Sequence, residues 1–255
     1  MTHILVTAKL VPDLVEELEI AESGTALDMT WLRLIINEFD DHAIEQAIIL
    51  KERSGCEVTV IAPDQEGMDD VLFTAAAKGA DRIIKLVGDF EEGVNNHALA
   101  RTLAASTKEI GPDLILTGVQ GNDDFDGSVG PYLAEYLGMT YVGYVAGVTL
   151  EGDKAIVHKE YPGGLIAELE VTLPAVLGIQ AAEQPPRYVA VSKVRQMMKE
   201  ASIDEVDVLD LDPSGGLEIS SMYLPEAAER AEMLDGDEEE IAARLVEIFK
   251  EIGVV

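Results

Sequence analysis

Apolar runs and amphipathic stretches take turns along the chain from Ile4 to Thr117. Ile4 to Ala8 reads as a buried first strand, followed by a loop around Pro12. From Asp40 to Arg53, the residues Ala43, Ile44, Ala47, Ile48 and Leu50 recur at the spacing of a helix with one face on a sheet. Glu57 to Ala62 is a second β-rich run, ended by Pro63 and Asp64. Met68 to Lys78 predicts a second amphipathic helix, Gly79-Ala80-Asp81 a turn, and Arg82 to Val87 a strand. A third helix over Asn96 to Glu109, closed by Gly111-Pro112, leads to the short apolar strand Leu114 to Thr117. This order is that of βαβ units, so the expected fold class is α/β. Its core is a parallel sheet with helices on both faces and right-handed crossovers. Such a sheet binds ligands beyond the carboxyl ends of its strands.

The pattern changes after Gly138. Tyr144 to Leu150, Gly152-Asp153 and Ala155 to Glu160 predict a strand, a tight turn and a strand. Pro162-Gly163-Gly164 is a further turn before the extended segment Leu165 to Leu173. The expectation is an antiparallel ribbon added to the parallel core. From Ser202 the chain turns sparse and acidic, through Asp204-Glu205-Val206-Asp207 to Gly215-Gly216. A final helix then carries Ile241, Leu245, Ile248 and Phe249 on one side. We read residues 1–200 as an α/β nucleotide-binding domain and 201–255 as an acidic C-terminal arm. The arm either docks elsewhere or folds back on its own domain.

Composition narrows the setting. The 255 residues suffice for one large domain or a domain with an arm, and the 47% hydrophobic share excludes global disorder. No apolar stretch approaches the roughly 18 residues that a membrane span needs. Met1 to Val6 runs into a strand with no basic region before it, so no secretory leader is expected. Cys56 is the single cysteine, which rules out an intrachain disulfide and a cysteine-rich metal site and suits a cytoplasmic protein. The 49 acidic and 18 basic residues give a formal net charge of −31, which repels a nucleic-acid backbone. Such charge serves solubility, high salt or a basic partner.

The segment Leu116 to Pro131 carries the first chemistry. It begins where a strand ends and finishes where the apolar helix Tyr132 to Leu137 begins. Gly127 can supply a positive φ, and the amides of Ser128, Val129 and Gly130 at the helix start point toward an anion. Pro131 fits the first turn, where its missing amide is not required. Phosphate binding without a lysine or a metal follows, against the alternative of an ordinary capped turn. Asp113, Asp123, Asp124 and Asp126 form no defined magnesium set, and Asp124 suits a ribose hydroxyl or a backbone amide better.

A second constellation combines Thr7-Ala8-Lys9 with Asn37-Glu38-Phe39-Asp40. Thr7 and Ala8 are small enough to leave room for an adenine ring, and Lys9 can balance phosphate charge. Asn37 or Asp40 can equally cap the first long helix. No GxxxxGK[ST] loop and no early GxGxxG is present. His3, His42, His97 and His158 lack metal-ligand spacing, and no nucleophile sits in a recognised elbow. No catalytic residue is therefore assigned.

Taken together, these pieces resemble the beta subunit of an electron transfer flavoprotein. The resemblance runs in order through Ile4 to Asp13, Asn37 to Asp40, Gly79-Ala80-Asp81, and Gly118 to Pro131. It continues through Val157 to Gly164, Leu173-Pro174-Ala175 and Pro186-Arg187-Tyr188. It implies an adenine nucleotide alpha hydrolase-like core and a heterodimer whose FAD sits chiefly on an alpha subunit, near the interface. AMP, or a second FAD in electron-bifurcating members with a reduced nicotinamide donor, would occupy this chain. Carried over, Thr7, Ala8 and Lys9 lie by the adenosine, bordered by Asn37, Asp40, Ala62 and Pro63. Gly121 and Asp124 match positions around the nucleotide, and Gly127, Ser128 and Val129 its phosphate turn.

Two departures stand out. Glu38 replaces the proline of the common Asn-Pro-Phe-Asp element, and Gly127-Ser128-Val129 replaces a more polar Asn-Gln-Thr turn. The family also meets partner dehydrogenases through the segment that here spans Val189 to Lys199, with Val191 at the hydrophobic anchor position. A flavin dehydrogenase such as an acyl-CoA dehydrogenase and a quinone-reducing acceptor are the implied partners. From another class, a regulatory nucleotide binder resembling a universal stress protein would form a homodimer without flavin.

Overall fold

The computed structural model of the chain describes residues 2–90, 94–123, 127–208, 211–225, 231 and 233–254. The chain divides into a body, Met1–Ser220, and a second unit, Ser221–Val255. In chain order the body holds β1 (His3–Thr7), β2 (Leu10–Pro12), β3 (Leu34–Ile36), α1 (Glu38–Ser54), β4 (Glu57–Pro63) and α2 (Met68–Lys78). There follow β5 (Arg82–Val87), α3 (Asn96–Ile110), β6 (Leu114–Gly118), α4 (Val129–Leu137) and β7 (Thr140–Glu151). The series ends with β8 (Lys154–Tyr161), β9 (Leu165–Thr172), β10 (Ala175–Ile179), α5 (Val191–Glu200) and β11 (Ile203–Asp207).

Nine strands form one sheet in the order β11-β5-β4-β1-β6-β10-β7-β8-β9. Every pairing from β11 across to β7 is parallel, as the alternation predicts. Successive side chains of a strand point to opposite faces. Ile4 and Val6 accordingly join the layer containing Ala43, Ile44 and Leu72 from α1 and α2. Leu5 joins the opposite layer, with Leu99 and Leu103 of α3 and Leu133 of α4. Both faces are covered, which is why these strands read as unbroken apolar runs.

β1 lies between β4 and β6. From β1 the chain winds outward through β4 and β5, then returns past β1 to place β6 on its other side. That reversal opens a crevice between the carboxyl ends of β1 and β6.

The expected ribbon is present, and it continues the large sheet. β7 is 12 residues long and does two jobs. Its first half pairs parallel with β10, its second half antiparallel with β8, and β8 pairs antiparallel with β9. The handover is irregular: registers shift between Val145 and Gly147, and Tyr144 takes a φ of 59°. A non-glycine residue in that region costs about 1–3 kcal/mol and persists only where its surroundings impose it.

Three elements differ from the sequence expectation. The stretch around Pro12 is not simply a loop, because buried Leu10 and Val11 pair antiparallel with Leu34 to Ile36. β10 is an inserted central strand, reached by the chain after the ribbon. β11 lies within the acidic stretch read as having left the core, yet it pairs parallel with β5. Cations on β5 hold it there: Arg82 Nε donates to Asp204 at 2.6 Å, and Lys85 Nζ is 3.4 Å from Glu205. The second unit contains α6 (Glu238–Glu251), started by a capping box between Asp237 and Glu240. Among the described residues no helix is long and apolar enough to cross a membrane.

Candidate functional site

The chain reversal forms a narrow crevice that is open to solvent. Its described lining includes Thr7 at the end of β1 with Ala8 and Lys9 after it, Asn37 and Asp40 at the head of α1, and Gly127 and Val129 at the head of α4. The two constellations separated by about a hundred positions in the sequence therefore meet.

Asp40 ties the walls together. Its carboxylate accepts from Lys9 N at 3.0 Å and from Gly118 N at 2.8 Å, so it pins the ends of β1 and β6 to α1. Burial pushes this carboxyl up to about 7, against the pull of the Lys9 charge and the two amide donors. Asn37 stands at the N-cap of α1, but its side chain does not cap. Its Nδ2 instead donates to Gln120 O at 2.9 Å across the crevice. Gly118 permits this closeness: a Cβ there would overlap Asp40 Oδ1 and lie 2.9 Å from Asn37 Nδ2.

Lys9 Nζ donates to Asp123 at 2.8 Å, so its charge is already answered by a carboxylate. Gly121 sits beside that pair, where a Cβ would lie 2.8 Å from Lys9 Nζ. Ala8 N donates to Ile61 O at 3.0 Å, which leaves only its carbonyl to read a ligand edge. Ala62 and Pro63 end β4 and are buried, but they are not part of the described crevice lining. Asp124 falls outside the described residues.

Gly127 has a φ of 59°, the positive value expected of it. Ser128 is the N-cap of α4, and its hydroxyl makes no capping bond. The first helical bond runs from Tyr132 N to Ser128 O, so the helix itself does not use the amides of Val129 and Gly130. Thr117 Oγ1 is buried without a partner among the described residues and lies 3.0 Å from where a Gly130 Cβ would stand. An orphaned hydroxyl beside a helix N-terminus is a ready donor to an anion.

Thr117, Gly118, Val119 and Gln120 line the crevice with Leu99 and Leu103; the first four belong to the segment Leu116 to Pro131 marked out in the sequence, without a role of their own there, and the two leucines were not marked out. The available signal for the first four was their place at the carboxyl end of β6 and directly after it. No cluster of three metal-ligating side chains occurs among the described residues. Asp113 precedes the five-residue strand β6 and Asp123 lies beyond its far end, so roughly 16 Å of strand runs between the segments that carry them.

A second region concerns the segment after Arg187. Ala182 N donates to His42, Glu183 N to Gln46, and Arg53 grips the Glu183 carboxylate with two 2.8 Å bonds. Arg187 is held by buried Glu45 at 2.8 Å and by Glu52 at 2.5 Å, and these carboxylates, Glu52 foremost, raise its already high pKa. This clamp on α1 delivers the chain to α5, which packs on α2 yet buries none of its residues. Val191, at its first position, is 60% exposed.

These features define an α/β protein with a small-ligand crevice at its topological switch and an exposed helix, α5, packed on α2. The model of the electron transfer flavoprotein domain matches residues 30–211. The chain is 34% identical to the electron transfer flavoprotein subunit beta of Methylophilus methylotrophus, covering 97% of this chain and 98% of that one. Identity to the subunit beta of Clostridium acetobutylicum is 31%, covering 98% of each chain. Against the protein FixA of Azorhizobium caulinodans it is 30%, covering 97% of this chain and 94% of the relative. The chain belongs to the electron transfer flavoprotein beta-subunit family.

Proposed function

We propose that this chain is the nucleotide-holding subunit of a two-chain electron carrier. Paired with an electron transfer flavoprotein alpha subunit, it would carry electrons through FAD from a dehydrogenase to a downstream acceptor, with no catalytic acid or base of its own. The observation that carries this reading is likeness to beta subunits over nearly the whole chain. FAD, held chiefly by the alpha subunit, supplies the redox chemistry when bound; the protein supplies position and electrostatics.

In the crevice we assign an adenosine phosphate, and the residues present fit one. Thr7, Ala8 and Lys9 would flank the adenosine, with Asn37 and Asp40 beneath it and Ala62 and Pro63 one strand further out. Gly121 and Asp124 would border the ribose, and the amides of Gly127, Ser128 and Val129 would receive the phosphate with the Thr117 hydroxyl. Lys9, paired with Asp123, tempers carboxylate charge near the anion. The adenine nucleotide alpha hydrolase-like description of the core, a cytoplasmic location, and an arm that embraces the alpha subunit, drawn back from 201–255 to the second unit Ser221–Val255, belong to the same proposal. So does docking of a flavin dehydrogenase, of the acyl-CoA dehydrogenase type, on α5 through Val191, with a quinone-reducing acceptor downstream.

The test is copurification with the alpha subunit, followed by acid extraction and quantification of FAD and AMP. One FAD and one AMP per heterodimer is the expected result. Two FAD would replace AMP by a second flavin, as in a bifurcating carrier, and a flavin-free homodimer would overturn the proposal. Val191→Asp should leave nucleotide content intact while lowering electron transfer at limiting dehydrogenase; unchanged transfer would remove the docking role.

A further inference from the structure

The sparse stretch through Gly215-Gly216 is tied to the head of α3 by side chains. Residues 212–216 form neither strand nor helix, so their backbone has no ladder to hold it. Asn95 Nδ2 donates to Pro213 O at 2.7 Å, and Arg101 Nη2 donates to Ser214 O at 3.0 Å. Arg101 also pairs with the Asp212 carboxylate, which accepts from Ser214 N at 2.9 Å. The approach is close. A Cβ on Gly216 would stand 2.2 Å from Asn95 Cγ, and one on Gly215, whose φ is 85°, would stand 3.0 Å from the His97 ring. Both glycines are therefore needed where the segment crosses α3.

The same turns of α3 wall the crevice. His97 and Arg101, one helical turn apart, share one face of α3, whereas Leu99 and Leu103 lie roughly 160° round the helix and line the crevice. The cluster continues onto α4. The His97 ring meets Tyr132 and Tyr136 edge-on, with centroids 4.9 and 5.6 Å away. Arg101 Nε donates to the Tyr136 hydroxyl at 3.3 Å, and its Nη2 to His97 Nδ1 at 3.0 Å. Tyr132 lies one turn beyond the head of α4, its amide bonded to Ser128 O. An exposed ion pair alone holds little. The Arg101 fork instead joins α3, α4 and the segment at once, and a planar guanidinium suits that task. Asn95, His97, Arg101 and Asp212 are all absent from the described crevice lining, so they brace its walls from outside.

We propose that residues 212–216 are a strap that positions the crevice walls, with Arg101 as the positioning residue. Closed, the strap holds α3 against α4 and so fixes the spacing between the Leu99 and Leu103 side chains and the amides at the head of α4. Open, those walls lose their outer brace and ligand affinity falls. Such coupling is reciprocal: a nucleotide that prefers the closed form must hold the strap closed by the same factor. The inference rests on the reading of the crevice as an adenosine phosphate site.

The test uses the full chain and reads two quantities: AMP affinity by calorimetry, and hydrogen exchange of the 211–216 peptide by mass spectrometry. Saturating AMP should slow exchange there about 5-fold or more. Gly216→Ala drives a methyl into Asn95, and Arg101→Met removes the fork. Each should weaken AMP binding about 5-fold or more and abolish the protection. Arg82→Met removes a comparable arginine pair, with Asp204 on β11, and should leave both quantities within about twofold. Circular dichroism checks folding; if Gly216→Ala or Arg101→Met misfolds, Asp212→Ala carries the test and should shift both quantities in the same direction. Exchange unchanged by bound AMP, wild-type affinity in the folded strap variants, or an equal loss in Arg82→Met would overturn the strap and leave the nucleotide site standing. If the unaltered chain binds no AMP, the adenosine phosphate reading falls, and the coupling falls with it.

Discussion

One sheet contains two regimes. In the parallel part, β1, β6 and β10 are buried on both faces, and their side chains are apolar almost without interruption. In the ribbon, β8 and β9 alternate, with one face drawn into the core at the base and the other in water. The contrast teaches where each part can do chemistry. A strand covered on both faces can present only its end to a ligand, so the crevice is built from Thr7 to Lys9 and Thr117 to Gln120. A ribbon covered at its base alone leaves its face open toward the tip, where Tyr161 and Leu165 are exposed.

The sharpest way to break this comparison is to remove the same apolar residue type from each part. Leu116 is fully buried in β6, and Leu116→Ala should cost about 2–5 kcal/mol in urea unfolding. Leu165 is exposed at the ribbon tip, and Leu165→Ala should stay within about 0.5 kcal/mol in the isolated chain. Equal losses would mean that the ribbon tip is packed in solution and that the two regimes are one.

Next in size is Gly118→Ala at the crevice. The added methyl meets Asp40 and Asn37 side chains that are themselves bonded across the gap, so neither can yield cheaply. A loss of about 1–3 kcal/mol in unfolding free energy is expected, together with weaker AMP binding by calorimetry.

Asp40 gives the comparison a pH axis. Burial raises its folded pKa from 3.8 to about 7, so the folded state holds the proton more tightly than the unfolded chain. Its contribution is then most favourable below the unfolded value and declines as pH rises from about 4 to about 7. Unfolding measured across that range should show the decline in wild type and lose it in Asp40→Asn. Glu170→Gln, in an exposed ribbon pair, should leave the profile nearly unchanged. A decline of the same size in Asp40→Asn would assign it to another group.

Much of this was legible in sequence because local chemistry and tertiary role agreed. α2 and β5 begin and end where periodicity and the Gly79 turn place them. Thr7, Ala8, Lys9, Asn37, Asp40, Gly127 and Val129 converge because a parallel sheet brings the segments after its strands to one edge. β11 was hidden because Asp204-Glu205 reads as solvent-facing until Arg82 and Lys85 of a neighbouring strand are set beside it. The Asn37 side chain was hidden differently. A helix cap is a local choice, and a bond to Gln120 O becomes available only once β6 is in place. The clamp of Arg187 on Glu45 likewise joins residues far apart in sequence, with no periodic signal to link them.

The smallest effect is the most specific. Thr107 and Thr117 each bury a hydroxyl that has no partner among the described residues. Thr107 lies in α3 away from the crevice lining, whereas Thr117 forms part of it. An unsatisfied buried hydroxyl costs free energy that a methyl of the same shape does not, so each Thr→Val change should raise stability by up to ~1 kcal/mol. The two should part company when AMP is added. Thr107→Val should bind as wild type does. Thr117→Val should lose up to about 10-fold in affinity, the net worth of one hydrogen bond, and Thr117→Ser should recover it. If Thr117→Val binds AMP as tightly as Thr107→Val, the hydroxyl faces no phosphate, and the backbone amides at the head of α4 hold the anion without it.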